Sequence, residues 1–473
     1  MKKGSITVFL SLVLGVVLSL VLTVVDSARY SAEKARIEMV MYMGLHSIFA
    51  EYNRELLSQY DLYFIDSSYG GKDASTVETA EYLKDYMEYN LRPSKGMVLS
   101  PGDLLGIKLK DVDIDMPSFA TDSGGRVFKR QAIEAAKDKF GMSAARHIKK
   151  LCRDYKGSHI DREKVDVRRS EVNKKLAVVD MKDKARRISK VYDRRSGNIE
   201  KLIMGARFSV STKDLSLDET ASYRVNEKGV GMVGACEDPD SFINNMLFIQ
   251  YLRWKCSDYT KDLGHDSCSY ELEYILNGKN TDKANIRETV KKLFFMREAA
   301  DTMAIYRDAG KKSQAKTVAA AAAAIIALVT GTDLTEPITH MILIAWGFAE
   351  AVVDVRTLLG GGKVPLVKKP GEWSIGNVAK IPFFRTMKGG GSRGLSYTDY
   401  LTIMLETENE LHETTIAKRG MDVIEMNIRT MPGNSNFRLD GCIEYLEANA
   451  VIKDSSGRNF TIRRDYSYMP VIF

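Results

Sequence analysis

The sequence predicts a mostly helical α+β protein. A single N-terminal transmembrane helix continues into a long amphipathic stalk helix, followed by a mixed globular domain with a buried αα-hairpin and a C-terminal β-hairpin. Three observations carry this. Ser5–Val25 is a run of 21 residues without a charge. From Asp26 to about Tyr60 the helical spacing continues, with no Pro and with Gly44 as its only Gly. At the other end, Cys442–Ile452 and Phe460–Tyr468 alternate apolar and polar residues around Asp454-Ser455-Ser456-Gly457, the pattern of a hairpin.

Composition excludes a disordered chain: 44% of the 473 residues are hydrophobic, 28% charged, and only 10 are Pro. The net charge of +7 is unevenly spread. Arg146–Arg207 holds 20 Lys and Arg against 9 Asp and Glu, a local +11 that leaves the remainder slightly acidic. Such a segment is either a solvated helical face or a surface for an anionic partner. An anionic envelope polymer is the expected class of partner, and nucleic acid is not. The domain map is 1–25 leader and transmembrane helix, 26–66 stalk helix and first strand, 67–145 an α+β segment, 146–207 a basic helical arm or insertion, and 208–473 a mainly helical domain with its closing hairpin.

At about 1.5 Å per residue, 21 residues span roughly 31 Å, the hydrocarbon thickness of a bilayer. The apolar core is long for a cleaved signal, and cutting after Ala28 would put Asp26 at −3, so an uncleaved anchor is predicted. Lys2 and Lys3 ahead of the span predict a cytoplasmic N-terminus and an extracytoplasmic C-terminal domain. Thr7, Ser11, Gly15, Ser19 and Thr23 recur at i, i+4, a stripe that lets helices approach closely in lipid. Beyond it, Ala28, Ala32, Ala35, Met39, Tyr42, His46, Phe49, Asn53 and Leu56 form a heptad seam facing a partner helix or the chain's own domain.

Tyr60–Asp66 reads as a strand and Thr76–Leu91 as a helix that Pro93–Gly96 breaks. Ile107–Met116 reads as a half-buried strand with a one-residue slip at Asp111, the mark of a bulge. Asp111, Asp113 and Asp115 imitate a calcium loop, but Met116 stands where its Gly belongs and Pro117 follows. Ser123-Gly124-Gly125 is a turn, Arg126–Leu151 a helix, and Phe208–Ser211 and Tyr223–Val233 candidate strands. Helices follow at Ser241–Trp254, Tyr270–Leu276 (closed by Asn277-Gly278), Thr281–Arg307, Ser313–Thr330 and Pro337–Leu359, with two more in Tyr397–Met431. Asp333 and Glu336 with Pro337 mark a helix start. The two very apolar helices at 313–359 are interrupted too soon to span a membrane and predict a buried hairpin, with a re-entrant membrane hairpin as the alternative.

No catalytic signature is present. There is no GxSxG and no HExxH, and the glycine-rich Gly360–Lys363 and Lys388–Gly394 miss the phosphate-loop pattern. Neither a metal nor a cofactor is predicted. Cys256, His265 and Cys268 come closest to a zinc set, with a Cys256–Cys268 disulfide or core packing as the competing readings. Glu350 and Asp354 lie i, i+4 on one face of an apolar helix. Such a buried pair can do acid–base work, or it can pair with Arg356 or sit at the helix edge.

The opening, GSITVFLSLVLGVVLSLVLTVVDSARYSAEKARIEMVMYMGLHSIFAEYNRELLSQYDLYFID, resembles the start of TadE/TadG-like proteins of tight-adherence (Tad) pilus systems. More narrowly it is similar to a family of exported proteins of unknown function from Gram-positive anaerobes. YELEYILNGK (Tyr270–Lys279), FAEAVVDVRTLLGGGKVPL (Phe348–Leu366), GLSYTDYL (Gly394–Leu401) and MNIRTMPGNSNFRLDGCIEYL (Met426–Leu446) fit the same family. The resemblance implies a non-enzymatic, membrane-anchored component of Tad-like pilus or secretion assembly, pseudopilin-like or an accessory scaffold. Its partners would be the membrane and other such components, or itself, through the N-terminal helix. It also implies leader processing between Gly4 and Ser5, since pilin leaders are cut after a Gly that follows basic residues. The sequence departs from the pilin pattern at Phe9, where a Glu is usual. The alternatives are an anchored cell-envelope enzyme or sensor using Glu350 and Asp354, or a wall-polymer binder using 146–207.

Overall fold

The computed structural model describes residues 3–91, 106–158, 160–177, 199–205, 208–224, 229–231, 239–387, 389–412, 414–454 and 456–469. The Pro93–Gly96 break, most of 178–207, Cys236 and parts of Tyr223–Val233 lie outside them. The chain divides into two discontinuous compact units.

The first unit comprises Met1–Gln131, Val225–Glu237 and Met431–Phe473. Helix α1 (Lys3–Phe49) runs unbroken for 47 residues. The chain then reverses into α2 (Arg54–Tyr60), whose first turn is capped by the Asn53 side chain accepting from Leu56 N–H at 2.9 Å. The strand expected at Tyr60–Asp66 is therefore mostly not one. Asp61 closes α2 in the left-handed region at φ 53°, leaving only β1 (Ile65–Asp66) extended. Helix α3 (Thr76–Leu91) and strand β2 (Lys108–Phe119) follow. The register of β2 shifts between Leu109 and Asp111, the slip visible in the alternation.

β3 (Cys442–Lys453) is the middle of an antiparallel sheet. β2 pairs along one of its edges; β1 at Cys442–Ile443 and then β4 (Asn459–Ser467) pair along the other. The far half of α1 and α3 cover this sheet. Ile37, Val40, Met41, Leu45, Ile48 and Phe49 are buried in a core shared with Leu83, Met87, Ile443, Leu446 and Ile452. Each such aliphatic side chain is worth about 1.5–3 kcal/mol relative to exposure.

The buried face of α1 is thus not the expected heptad seam: Met39 and Tyr42 are exposed. The neighbouring face, with the larger run of branched aliphatics, turns inward instead. Gly44 permits this, since a Cβ there would come within 2.9 Å of Leu83 and 3.0 Å of Met87. His46, Phe49, Tyr466 and Tyr468 form an aromatic edge, with ring centroids 4.6–4.8 Å apart.

The second unit comprises Ala132–Arg224 and Asp238–Thr430. Helix α4 (Asp122–Phe140) enters it, the Ser123-Gly124-Gly125 turn showing as three positive φ values at its start. Gly141, at φ 61°, ends it, so the expected single helix to Leu151 is two, the second being α5 (Met142–Gly157). α6 (Arg162–Ala177) and the short α7 (Ile199–Ile203) are the described helices of the basic segment that follow. Phe208–Ser211 forms no strand; an isolated bridge joins Asp214 to Thr281.

α8 (Phe242–Lys255) is capped by Ser241, α9 (Glu271–Asn277) ends on left-handed Gly278, and α10 (Asp282–Arg307) is capped by Thr281. α11 (Ala309–Thr330) and α12 (Thr335–Leu359) make the αα-hairpin. The helix start marked by Asp333, Glu336 and Pro337 is there, at Thr335, and the Asp333 carboxylate holds the turn before it by accepting from Thr335 N–H and hydroxyl. α13 (Tyr397–Leu411) and α14 (Thr415–Arg429) complete the unit. α10 and α12 approach closely at Gly347, where a Cβ would lie 2.9 Å from Thr302 Cα.

Candidate functional site

Three places carry the candidate residues. The first is the near half of α1. Every large apolar side chain from Ile6 to Val25 is exposed, between 42% and 69%. The hydroxyls of this stretch are satisfied within the helix: Ser11 donates to Val8 C=O at 2.9 Å and Thr23 to Ser19 C=O at 2.8 Å. No polar hydrogen of these two side chains therefore asks for water. Thr7, Ser11, Gly15, Ser19 and Thr23 lie along one side of this half, and a Cβ at Gly15 would meet nothing within 4 Å. Gly4 and Ser5 stand in its first turns. Such a helix suits a signal anchor or a signal sequence.

The second place is the acid pair. Glu350 and Asp354 are buried on α12, as their setting in an apolar run predicts. Their partners are not Arg356, whose guanidinium donates to the carbonyls of Leu202, Ile203, Phe384 and Arg385. They come from α10 and from the segment after α12. Arg297 donates to Asp354 at 2.8 and 3.1 Å, to Asp301 at 2.6 Å, and to the carbonyls of Pro365 and Leu366 and the Tyr400 hydroxyl at 2.9 Å.

Lys368 bridges the pair, donating to Asp354 at 2.6 Å and to Glu350. Glu350 also accepts from Ser374 and Ile375 N–H at 2.6 and 2.9 Å. Burial opposes the Lys368 and Arg297 charges, but the carboxylates around them outweigh it and hold both cations above their usual values. Lys311, next in line, donates to Ile375 C=O at 2.7 Å and lies 3.7 Å over the Trp346 ring; burial lowers it to about 8. A carboxylate pair engaged on both sides by cations and amides, with no open face, has the chemistry of an internal brace.

The third place is a loop, 256–270, held by buried acids. Glu271 accepts from Ser257 N–H at 2.6 Å, lies 2.8 Å from His265 Nδ1 and accepts from the Asn427 amide. Glu273 accepts from Tyr259 N–H at 2.9 Å and from the Tyr397 hydroxyl at 2.7 Å, and burial, reinforced by Asp258, pushes its carboxyl up to about 8. Asp282 accepts from Ser211 at 2.6 Å and from the Cys268 thiol at 3.4 Å.

The suggested Cys256–Cys268 disulfide is absent: both residues are free, buried thiols, and burial raises both. Cys256 closes α8 while Cys268 faces Asp282. His265 is likewise engaged by Glu271, so the sparse zinc set is divided among separate partners. Among the described residues no group of three or more His, Cys, Asp or Glu is placed to hold a metal.

A cavity of about 300 Å³ opens elsewhere in this unit, lined by Tyr155, Arg162, Lys292, Phe295, Met404 and Glu408 among others. Neither Glu350 nor Asp354 is among its lining residues.

Fold and site together define a protein with one long apolar N-terminal helix and a mostly helical α+β body whose acid clusters are internal. Residues 179–454, more than half of the chain, match the family of unknown function DUF5702, and the chain belongs to that family. The match carries no statement about tight-adherence proteins. No curated protein and no solved structure matches the chain.

Proposed function

We propose that this chain is a membrane-anchored, extracytoplasmic scaffold without enzymatic activity, acting as a pseudopilin-like or accessory component of a Tad-like pilus or secretion assembly. The observation that carries the proposal is the division of α1. Its far half docks on a sheet through Ile37, Val40, Met41, Leu45 and Ile48, while its near half presents an apolar circumference with internally satisfied hydroxyls. That near half needs lipid or other apolar helices around it, and the stripe through Gly15 offers them a close approach. Lys2 and Lys3 favour a cytoplasmic N-terminus, with the body outside.

The test is cysteine crosslinking of the span in membranes, combined with intact mass and N-terminal sequencing of the extracted protein. Gly15→Leu and Ser19→Leu should weaken span-to-span crosslinking while leaving insertion intact; unchanged crosslinking sinks the packing role. A start at Ser5 and recovery in sheared surface filaments support pilin-type processing, and a start at Met1 supports a plain anchor.

The exposed Lys149, Lys150, Arg153, Lys164, Arg168 and Lys174 of α5 and α6 favour one second reading, a binder of anionic wall polymer. That reading requires binding that falls steeply between low and physiological salt.

A further inference from the structure

The cavity of the second unit joins an apolar wall to a set of polar donors. One face of α10 supplies much of the wall: Lys292, Phe295, Met296 and Ala299 fall at i, i+3, i+4 and i+7 and all line the space. Met404 of α13 and Leu276 of α9 add to it. Leu276, Ala299 and Met404 are buried, while Phe295 and Met296 are half-buried.

Three donors stand at this wall. The exposed Arg162 guanidinium lies 3.9 Å over the Phe295 ring, and the acid paired with it, Asp166, is 3.5 Å away. The Lys292 ammonium has Glu408 at 3.9 Å. Both separations are longer than a hydrogen bond. Among the described residues no hydrogen bond engages the Arg162 or Lys292 head or the Tyr155 hydroxyl, which lines the same space. Burial raises the Tyr155 hydroxyl, so it stays a donor at neutral pH. Burial also lowers the Lys292 ammonium in spite of Glu408, so a further anion beside it would be favoured.

The size is that of a small molecule. A space of about 300 Å³ is the room of about 10 waters at ~30 Å³ each, and so of a ligand of about 10 non-hydrogen atoms. We propose that this cavity binds a small aliphatic carboxylate, its chain along Phe295, Met296 and Met404 and its carboxylate at Arg162, Lys292 and Tyr155.

Two cations and a phenol against the single carboxylate of Glu408 favour an acceptor-only head, and the fork of Arg162 suits both oxygens of a carboxylate. The two methionines give a wall that adapts to a flexible chain. Arg162 already covers a face of Phe295 on which an aromatic ligand would stack. A lipid with two chains is too large for the space. The proposal adds a binding site to the scaffold and does not depend on how α1 meets the membrane.

The experiment uses the full chain in lipid nanodiscs, with empty nanodiscs as the baseline, and titrates octanoate by calorimetry. Octanoate should bind about 10-fold more tightly than octanol or octylamine, which share its chain but not its charge. Arg162→Gln combined with Lys292→Gln should weaken octanoate about 10-fold and leave octanol unchanged; both side chains are exposed, so the fold tolerates the change. Ala299→Leu fills the cavity from its wall and should abolish binding of both, with tryptophan fluorescence reporting that the variant is folded.

Equal affinities for octanoate and octanol overturn the proposal, as does a double variant that binds octanoate like the parent. Heat that empty nanodiscs reproduce in full places octanoate in the bilayer and overturns it too. Tighter binding of hydrocinnamate, an aromatic acid of similar size, refutes the aliphatic class of ligand.

Discussion

Glu273→Gln isolates the energetic cost of a buried acid in the second unit. Glu273 is fully buried on α9, with Oε1 accepting from Tyr259 N–H and the Tyr397 hydroxyl and Oε2 without a partner. Burial moves its carboxyl from the usual 4.5 up to about 8, so the folded protein holds it neutral at pH 7 while the unfolded chain ionises it. The folded state binds the extra proton, so the stability tied to this group is complete below pH 4.5. It is lost as pH rises towards 8, then stays flat once both states are ionised. At about 1.4 kcal/mol per pKa unit the full window sets a ceiling of roughly 5 kcal/mol, and relaxation of the site reduces it to a few kcal/mol.

Gln keeps the accepting oxygen and cannot ionise. The variant should match the parent near pH 4.5 and exceed it by about 2–5 kcal/mol at pH 8.5. Urea unfolding of the full chain in detergent, followed by tryptophan fluorescence, reads the right unit, because all 3 tryptophans (Trp254, Trp346 and Trp373) belong to it. A stability difference that stays flat from pH 5 to 8.5, or a variant weaker than the parent at high pH, would refute the assignment of Glu273 as a buried neutral acid.

Two further substitutions probe the same unit. Lys368→Met leaves the Glu350 charge without its cation, held only by the Ser374 and Ile375 N–H groups, and Asp354 to Arg297 alone, which should cost about 3–5 kcal/mol in the same unfolding assay. A loss below about 1 kcal/mol would show that the brace contributes little. Gly347→Val places a Cβ within 2.2 Å of Thr302 Oγ1, so α10 and α12 must part, at about 1–3 kcal/mol. Thr302→Ala should recover part of that loss, and no recovery would place the strain elsewhere.

What the sequence makes legible here is local chemistry. Asn277-Gly278, Ser241 and Thr281 announce helix ends because capping is decided within a few residues, and the slip at Asp111 shows in a strand of period two. Partnership over distance is not legible. Glu350 and Asp354 are visible as a buried pair, yet Arg297 and Lys368 belong to other segments, and the nearer Arg356 turns to backbone carbonyls. The closing hairpin is visible as a hairpin, but the sequence groups it with 208–473, whereas β3 is the middle strand of the first unit's sheet. The seam on α1 is not, apart from Phe49, the face that its own sheet covers, for a related reason: several faces of an apolar-rich helix satisfy a heptad, and the sheet beneath selects among them.

The recognisable sequence blocks meet in the second unit's interior, and this bears on where function should be sought. Glu271 and Glu273 of Tyr270–Lys279 meet Asn427 of Met426–Leu446 and Tyr397 of Gly394–Leu401. Asp354, of Phe348–Leu366, shares Arg297 with Tyr400 and with the Pro365 and Leu366 carbonyls. Buried acids of this kind cost free energy unless each is answered, so they specify one arrangement of loops and helices more sharply than apolar packing does. In these contacts the blocks act as instructions for folding a body. A ligand or partner would meet other surfaces: the near half of α1, the exposed cations of α5 and α6, and the cavity lined by Phe295 and Met404. Substitutions on those surfaces should alter association while leaving tryptophan-monitored stability unchanged, whereas substitutions at the buried acids should do the reverse.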